Sequence, residues 1–367
     1  MPSSEPDNSA GQFDPSAHQL RALDRRAFLR GTAAFAGVAA FGGLVSACSS
    51  SSSSGGTASA SGSSGAAVGD IGKGKTIAIS LNGINAYSTY VAEGVLKALA
   101  GTSYKVIGVQ NNFSSSTELT NIQNLLTQNI SGLISLPADA TTIAKAAQLC
   151  QQQGVAFGNS LYPGKSDADK YFTSVAVLDS VEGGTMIGDF LKANGKPGKT
   201  VVVQGIIGQG FSERIDQGLD AALAGSGFDV VVREQGFFDR NKATTIVESA
   251  LQAHPDITTI VAYSASMSDG IASYLKSKSI TNLTHISSDG DDEMFTWLGT
   301  PYLTADRYYS AAETGLLVAQ QIRAKLEGGS PIFSEPITQK MITKATSAAA
   351  IAAVPYRYAE FSGKVKF

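Results

Sequence analysis

The sequence predicts an α/β protein of two Rossmann-like lobes, each built on a parallel sheet. From Thr76 onward, short runs rich in Val and Ile alternate with longer segments of helical periodicity, a pattern typical of βα units around a parallel sheet. This pattern predicts ten strands and eight helices, which are more than a single open sheet easily accommodates, so two lobes fit better than one. With 43% hydrophobic residues among 367, the chain can bury a sizeable core.

The strands are predicted where β-branched residues cluster, and the helices where apolar residues recur at helical spacing. The predicted strands are 76–81, 104–110, 131–137, 155–160, 172–178, 200–206, 228–235, 258–264, 284–290 and 302–308. The predicted helices are 87–100, 117–128, 141–153, 180–194, 212–224, 242–253, 267–277 and 311–326. No sequence repeat is visible, so a solenoid or a propeller is not supported.

The first 47 residues are predicted to be an export signal. Arg25 and Arg26, followed by Phe28 and Leu29, resemble the twin-arginine signal of bacteria. The apolar stretch that follows is 16 residues long, which is too short to span a bilayer comfortably. A charged region, a short apolar region and small residues before the cut are the layout of a cleaved secretory signal.

A lipid anchor is predicted at Cys48. The apolar stretch ends Val45-Ser46-Ala47-Cys48, which resembles the bacterial lipobox, whose cysteine thiol receives diacylglycerol. Residues 49–69 are nearly all Ser, Gly and Ala, so we expect a flexible tether over 48–74. The expected location is the outer face of the cytoplasmic membrane; a membrane-anchored stub that merely contains a cysteine is the alternative.

Charge and cysteine content exclude other classes of partner and site. The net charge is −3 and no basic block lies beyond the N-terminus, so no nucleic-acid partner is expected. Cys150 has no neighbouring His or second Cys and is interpreted as a buried apolar residue. Besides residue 18, the histidines are His254 and His285, neither at a strand's carboxyl end, so no metal, cofactor or catalytic role is predicted.

Polar and aromatic residues follow most of the predicted strands. In α/β folds, ligands bind outside the carboxyl ends of the strands. Amides, carboxylates, a guanidinium and aromatic rings suit a neutral hydroxylated ligand, although each residue alone could be a helix cap or a turn former. The candidate ligand-binding residues are Asn85, Tyr87, Asn159, Tyr162, Arg214, Phe238, Ser264, Asp289 and Asp306.

The stretches TIAISLNGINAY, VVVQGIIGQGFSERIDQGLDAAL and ISSDGDD carry a resemblance to a known family. Over most of residues 76–345 the chain resembles periplasmic sugar-binding proteins of the ribose-binding type. The resemblance implies the type I two-lobed fold, with lobes joined by a multi-strand hinge. It also implies a monomer that captures a sugar or polyol by hinge closure and delivers it to an ABC permease.

The resemblance assigns roles to some of the candidates. It implies that Asn85 and Tyr87 hold the sugar after the first strand and that Phe238, in FFDR, covers the sugar ring. Asp289 would accept two sugar hydroxyls, and Arg214 would donate to hydroxyls from the helix that opens at FSERIDQGLD.

Other positions depart from the family's pattern. Ser264 and Ala265 stand where the family often has an Asn-Asp pair, and Asp306 stands for its glutamine. Asn159 and Tyr162 lie where an Asp-Arg pair is expected. These departures imply a specificity different from that for ribose.

The domain boundaries follow from the same resemblance. The first lobe is predicted at 75–178 plus 307–335, and the second at 179–306 plus 336–346. The tail at 347–367 is not placed by any pattern. Two alternatives stay open: a receptor that presents its ligand to a membrane sensor, and a glycosidase that uses Asp289 and Asp306 as paired carboxylates.

Overall fold

The computed structural model describes residues 70–162 and 166–349. The predicted export signal with Arg25 and Arg26, the predicted lipidation site Cys48, and most of the predicted tether and of the C-terminal tail lie outside the described residues. Within the described part of the chain, no helix is long and apolar enough to cross a bilayer.

Strands and helices alternate along the described chain. The strands are β1 Thr76–Leu81, β2 Lys105–Gln110, β3 Gly132–Ser135, β4 Ala156–Tyr162, β5 Ser174–Val177, β6 Gly198–Gln204, β7 Phe228–Gln235, β8 Ile257–Ala262, β9 Thr284–Asp289, β10 Ala305–Tyr308, β11 Ser334–Pro336 and β12 Lys340–Ile342. The helices are α1 Ala86–Ala98, α2 Ser115–Leu126, α3 Ala140–Gln152, α4 Ser180–Asn194, α5 Ser212–Leu223, α6 Arg240–Ala253, α7 Ala265–Ser277, α8 Asp292–Trp297 and α9 Ala311–Leu326.

These strands form two sheets of the same design. The first has the order β11-β5-β4-β3-β1-β2 and the second the order β12-β10-β9-β8-β6-β7. All pairings are parallel except that between β10 and β12. The predicted α/β fold with two parallel sheets is therefore confirmed, and each strand of one sheet has a counterpart in the other.

Three segments connect the two sheets. They follow β5, β10 and β11, and together they form the hinge region. Tyr308 still pairs with Asp289 in the second sheet, and Pro336 still pairs with Val177 in the first. The chain therefore crosses slightly later than the predicted boundaries at 306 and 335.

Each lobe has its own buried core. In the first lobe, Ile77 and Leu81 of β1 and Val95 of α1 are fully buried in one cluster with residues of α9. In the second, Val201 and Leu219 are fully buried between β6 and α5. The apolar runs that predict the strands are thus the residues that form the cores.

Glycines allow the helices of each lobe to pack at close range. A Cβ atom at Gly94 of α1 would lie 1.9 Å from the carbonyl oxygen of Ala312 in α9. In the second lobe, a Cβ at Gly184 of α4 would lie 2.0 Å from the carbonyl oxygen of Ile215 in α5. Each pair includes one helix that follows a crossing between the sheets, α9 after β10 and α4 after β5.

We expect Gly315→Ala to destabilise the protein. A Cβ at Gly315 would lie 2.0 Å from the carbonyl oxygen of Val91, so α1 and α9 must separate. Overpacking of this kind costs about 1–3 kcal/mol, and each kcal/mol lowers the thermal midpoint of a chain of this size by about 2–4 °C. The control is Asn124→Ala on the exposed face of α2, which should not lower the midpoint. Equal midpoints for Gly315→Ala and the wild type would contradict this packing.

Candidate ligand-binding cleft

A cavity lies between the carboxyl ends of the strands of the two sheets. Its empty volume, with the open mouth included, is about 790 Å³. Residues that follow β1 and β2 line one side, and residues that follow β6 to β9 line the other. This is the position at which open α/β sheets bind ligands.

Aromatic rings from both lobes cover much of the cavity wall. The ring of Tyr87 meets that of Tyr309 edge to face, with 6.2 Å between the centroids. The other aromatic residues of the lining are Phe113, Phe211, Phe238 and Tyr263. Rings of this kind can cover the apolar C–H faces of a small ligand.

Asp289 is the buried carboxyl group at the end of β9. Its side chain is 9% exposed, and Oδ1 accepts a hydrogen bond from the Ala265 amide at 2.8 Å. Burial raises the pKa of Asp289 well above its ordinary value, and the charges of Asp306 and Asp291 add to the rise. The Ala265 amide and the Arg307 charge act in the opposite direction.

Arg307, at the end of β10, is the buried cation of the cavity. Its residue is 1% exposed, and Nη1 donates to Oε1 of Gln339 at 3.2 Å. The guanidinium carbon lies 5.1 Å from the ring centroid of Tyr309. A Cβ at Gly183 of α4 would lie 2.0 Å from Nη1, so this glycine leaves room for the guanidinium. Arg307 Nε has no acceptor among the described residues.

Gln339 connects Arg307 to the hinge. Its Nε2 donates to the carbonyl oxygen of Asp179 at 2.9 Å, just before α4. Gln339 lies in the crossing between β11 and β12, Asp179 in the crossing after β5, and Arg307 in β10, the strand that leads into the remaining crossing. One chain of hydrogen bonds therefore joins all three hinge segments to a side chain of the cavity.

Five of the predicted site residues line the cavity. They are Asn85, Tyr87, Phe238, Ser264 and Asp289. Two of them also cap helices: Asn85 Oδ1 accepts from the Ser88 amide, and Ser264 Oγ accepts from the Met267 amide. The capping and lining positions coincide because each helix begins at a strand's carboxyl end.

Asp306 does not line the cavity, and its neighbour Arg307 does. Successive side chains of a strand point to opposite faces, so Arg307 and Tyr309 share one side of β10 and Asp306 lies on the other. Asp306 is fully buried, and burial raises its pKa to about 7. In this structure the neighbouring residue Arg307 therefore lies in the lining at the end of β10, where Asp306 was predicted.

Asn159, Tyr162 and Arg214 also lie outside the cavity lining. Asn159 Oδ1 accepts from the Leu161 amide at 2.9 Å, and the Tyr162 hydroxyl donates to Asp169 within the first lobe. Arg214 precedes the lining residue Ile215 by one position, which turns it about 100° around α5. The rule that residues after strand ends line the cavity selected these three residues because it takes no account of the direction in which each side chain points.

Sequence reasoning missed several lining residues, including Phe113, Gln209, Arg307 and Tyr309. Period-two alternation would have grouped Arg307 with Tyr309. A comparison of the segments QNNFS and QGFFD would have grouped Phe113 with Phe238. Gln209 carries no sequence signal of this kind.

Strained backbone is concentrated at the cavity. Phe113, Phe238 and Asp289 have φ angles of 58°, 58° and 70°, a region that residues other than glycine rarely adopt. Such strain persists where the surrounding structure fixes it, and it is frequent at ligand sites.

The described residues offer binding groups rather than a metal site. Among residues 70–162 and 166–349, no group of three or more His, Cys, Asp or Glu could hold a metal ion. His285 is buried, its Nδ1 lies 2.7 Å from the Tyr302 carbonyl oxygen, and burial lowers its pKa to about 4. Neither His285 nor Asp306 reaches the cavity, so neither can act on a ligand there.

The fold and the cavity define a two-lobed α/β binding protein. Residues 77–330 match the family described as periplasmic binding protein domain, and the chain belongs to this family. The chain is similar to the ribose import binding protein RbsB of Escherichia coli (strain K12), with 24% identity over 271 residues, 73% of this chain and 90% of the relative. RbsB of Bacillus subtilis (strain 168) is 26% identical over 223 residues, 59% of this chain and 70% of the relative.

Solved structures share the fold. An ABC transporter solute binding protein from Bacillus halodurans C-125 with bound myo-inositol has a TM-score of 0.70 at 16% identity and covers 77% of this chain and 99% of its own. A carbohydrate transporter solute binding protein from Agrobacterium radiobacter in complex with D-arabinose has a TM-score of 0.68 at 19% identity, with coverage of 77% and 99%. The predicted resemblance to ribose-type periplasmic sugar-binding proteins is confirmed.

We expect Asp306→Asn to flatten the dependence of stability on pH. Burial raises the folded-state pKa of Asp306 from 3.8 to about 7, so the folded protein binds the proton more tightly than the unfolded chain. The stabilisation from this proton is complete below about pH 4 and is lost as the pH rises through about 7. Between pH 4.5 and 7.5 the contribution of Asp306 to this loss is on the order of 3 kcal/mol, and Asp306→Asn removes that contribution. The contributions of Glu118, Asp269 and Glu313, whose pKa values burial also raises, remain in the variant.

Urea unfolding at these two pH values measures the difference. Asp229→Asn, at an exposed position of β7, is the control and should keep the pH dependence of the wild type. If Asp306→Asn and Asp229→Asn show the same dependence, Asp306 is not held in its protonated form.

Proposed function

We propose that the chain is an extracytoplasmic solute-binding lipoprotein that captures a sugar or polyol and delivers it to an ABC-type importer. The observation that carries this proposal is the cavity shared by the two lobes, where Asp289 and Arg307 lie among aromatic rings. The family and the relatives' names support binding for import, and none of the relatives described above is named as an enzyme.

The buried charges supply the hydrogen bonds that hydroxyl groups need. Asp289 uses Oδ1 on the Ala265 amide, which leaves Oδ2 to accept from a ligand hydroxyl. Arg307 uses Nη1 on Gln339, which leaves other N–H groups to donate. Hydrogen bonds to a charged group such as the Arg307 guanidinium contribute about 1.5–3 kcal/mol each. Asn85 and Ser264 add polar edges beside them.

The ring of Tyr87 covers one face of the ligand, and the ring of Tyr309 supports Tyr87 from the side. Burial raises the pKa of both tyrosines, so both hydroxyls stay protonated at neutral pH. The D-arabinose and myo-inositol of the solved neighbours indicate pentoses, hexoses and cyclic polyols as the compounds to test.

Capture takes place by closure of the two lobes about the hinge. The first lobe is taken as 75–178 plus 307–335 and the second as 179–306 plus 336–346, with the crossings after β10 and β11 a residue or two beyond these borders. Arg307 couples ligand binding to closure of the hinge, because its partner Gln339 donates a hydrogen bond to the backbone at Asp179. The closed monomer then docks on the permease.

Export and anchoring complete the proposal. The twin-arginine-like signal with Arg25 and Arg26 directs export, and diacylglycerol on Cys48 holds the protein at the outer face of the membrane. The Ser/Gly-rich tether then lets the two lobes reorient toward a permease. The name of the family, periplasmic binding protein domain, supports export.

We expect a pentose, hexose or polyol to raise the thermal midpoint of the full chain carrying Cys48→Ser. A ligand at about 100 times its Kd stabilises the folded state by about 2.7 kcal/mol. A thermal-shift screen against such compounds, with amino acids and nucleosides as controls, measures this. Stabilisation by an amino acid or a nucleoside alone would show that the proposed ligand class is wrong.

Asp289→Asn should weaken binding of the sugar that the screen identifies by about 10- to 100-fold. In the variant the amide oxygen can still accept from the Ala265 amide, but the amide nitrogen cannot accept from the ligand hydroxyl in place of Oδ2. A buried group left without its hydrogen-bond partner costs about 1–3 kcal/mol. Isothermal titration calorimetry gives the Kd, and Asp229→Asn at an exposed position is the matched control. Unchanged affinity in Asp289→Asn would remove Asp289 from the site.

Cys48→Ser should release the protein from the membrane of a bacterial host. The serine hydroxyl cannot form the thioether to diacylglycerol, so metabolic labelling with a radioactive fatty acid should mark the wild type alone. Cys150→Ser is the control, because Cys150 is buried within the first lobe and should not affect labelling. Absence of label from the wild type would contradict the anchor.

A further inference from the structure

The two lobes repeat one unusual turn. After β2, the Asn111 carbonyl oxygen accepts from the Ser114 amide at 2.9 Å; after β7, the Gly236 carbonyl oxygen accepts from the Asp239 amide at 2.9 Å. In both turns the two central residues have positive φ, and they are Asn112 and Phe113 in the first lobe and Phe237 and Phe238 in the second. Turns of this kind ordinarily use Gly, Asn or Asp, so a phenylalanine in each is disfavoured locally.

Each turn is fixed in the same way. The Asn111 amide donates to the Leu81 carbonyl oxygen at 3.0 Å, and the Gly236 amide donates to the Gln204 carbonyl oxygen at 2.8 Å. The next residue caps a helix in both lobes: Ser114 accepts from the Thr117 amide, and Asp239 accepts from the Lys242 amide. Two equivalent strand ends therefore carry two equivalent aromatic side chains.

The rings of both turns lie over a glycine of the neighbouring strand end. A Cβ at Gly83 would lie 3.1 Å from the ring of Phe113, and a Cβ at Gly205 would lie 2.2 Å from the ring of Phe238. These glycines let each ring lean over the cavity that both rings line. Phe237, by contrast, is 41% exposed and has Lys242 Nζ 4.1 Å from its ring centroid.

The two inward rings meet across the cleft. Phe113 and Phe238 are stacked with 5.9 Å between their centroids and 29° between their planes. A second contact between the lobes, from Gln209 Nε2 to the Ala138 carbonyl oxygen at 2.8 Å, is also buried. Because Phe113 belongs to the first sheet and Phe238 to the second, this stacking exists only while the lobes are closed.

We infer that Phe113 is a binding-site residue, the first-lobe counterpart of Phe238, and that the two rings form an aromatic clasp that closes the cleft over the bound ligand. This inference rests on the proposed function, because the clasp retains a ligand that the cavity must first accept. It also gives the strained turns a purpose, since Phe113 and Phe238 have the left-handed conformation and both of their rings line the cleft.

If the clasp exists, a variant that lacks the Phe113 ring should lose ligand affinity without losing folding stability. Phe113→Gly removes the ring and also relieves the positive φ, so the free energy of unfolding should stay the same or rise while ligand affinity falls about two- to tenfold, mainly through faster dissociation. Phe237→Gly is the matched control: it relieves the same strain in the equivalent turn but removes a ring that points outward, so affinity should not change. A purely structural role for Phe113 would lower stability and affinity together.

Closure itself can be measured with spin labels. Thr120 and Thr245 occupy equivalent exposed positions on α2 and α6, so Thr120→Cys and Thr245→Cys in the full chain carrying Cys48→Ser report the distance between the lobes. Cys150 is buried, and burial raises the pKa of its thiol to about 12, so it should not be labelled. The probes are D-ribose, D-arabinose, D-fucose and myo-inositol. Pulsed electron–electron double resonance measures the distance between the two spin labels with and without each probe.

We expect a shorter distance with a bound sugar, and a closed fraction that falls in Phe113→Gly but not in Phe237→Gly. Equal affinity and equal closed fractions in the two variants would overturn the clasp and leave the proposed function standing. If no probe binds but the unliganded chain is partly closed and opens in Phe113→Gly, the clasp stands and sugar binding fails. If no probe binds and the unliganded wild type is wholly open, both fail.

Discussion

The hydrogen bonds of one buried guanidinium join the cavity to the hinge. Arg307 donates to Gln339, and Gln339 donates to the backbone at Asp179, so the three segments that cross between the lobes converge on one side chain of the cavity. A buried cation is stable only where partners and counter-charges surround it. Gly183 supplies the space and Gln339 the acceptor, and the charge of Arg307 acts to lower the pKa of both Asp289 and Asp306. The site and the hinge are therefore parts of the same polar network.

The repetition of one lobe design explains why the cavity draws on both sheets. Parallel strands end at a common edge, and the two sheets present these edges to each other. The strand orders match position by position, so equivalent strand ends, such as those before Phe113 and Phe238, meet across the cleft. Close packing at Gly94 joins α1 to α9 in the first lobe, and close packing at Gly184 joins α4 to α5 in the second.

The fold could be predicted from the sequence because each strand and helix buries one face. This burial produces the Val- and Ile-rich runs and the helical periodicity that mark the elements. The predicted and observed bounds are the same for α4, β7 and α9. The short elements α8, β11 and β12 were not predicted, because their sequences, DEMFTW, SEP and KMI, lack the Val- and Ile-rich runs that mark the predicted strands, and these elements form through capping or pairing. For the site, strand ends identified Asp289 and Tyr87 as members of the lining. They did not separate Asp306 from Arg307, since that choice depends on which face of β10 meets the cavity, nor exclude Arg214, whose direction depends on the rotation of α5.

The central claim is that a sugar or polyol binds between the lobes, held by residues of both. The most direct measurement is the crystal structure of the chain with the tightest-binding sugar of a thermal-shift screen. The account predicts electron density for that sugar between Tyr87 of the first lobe and Asp289 of the second, with Arg307 within hydrogen-bond distance of an acceptor atom of the sugar. Sugar density elsewhere on the molecule, with this cavity empty, would contradict the account.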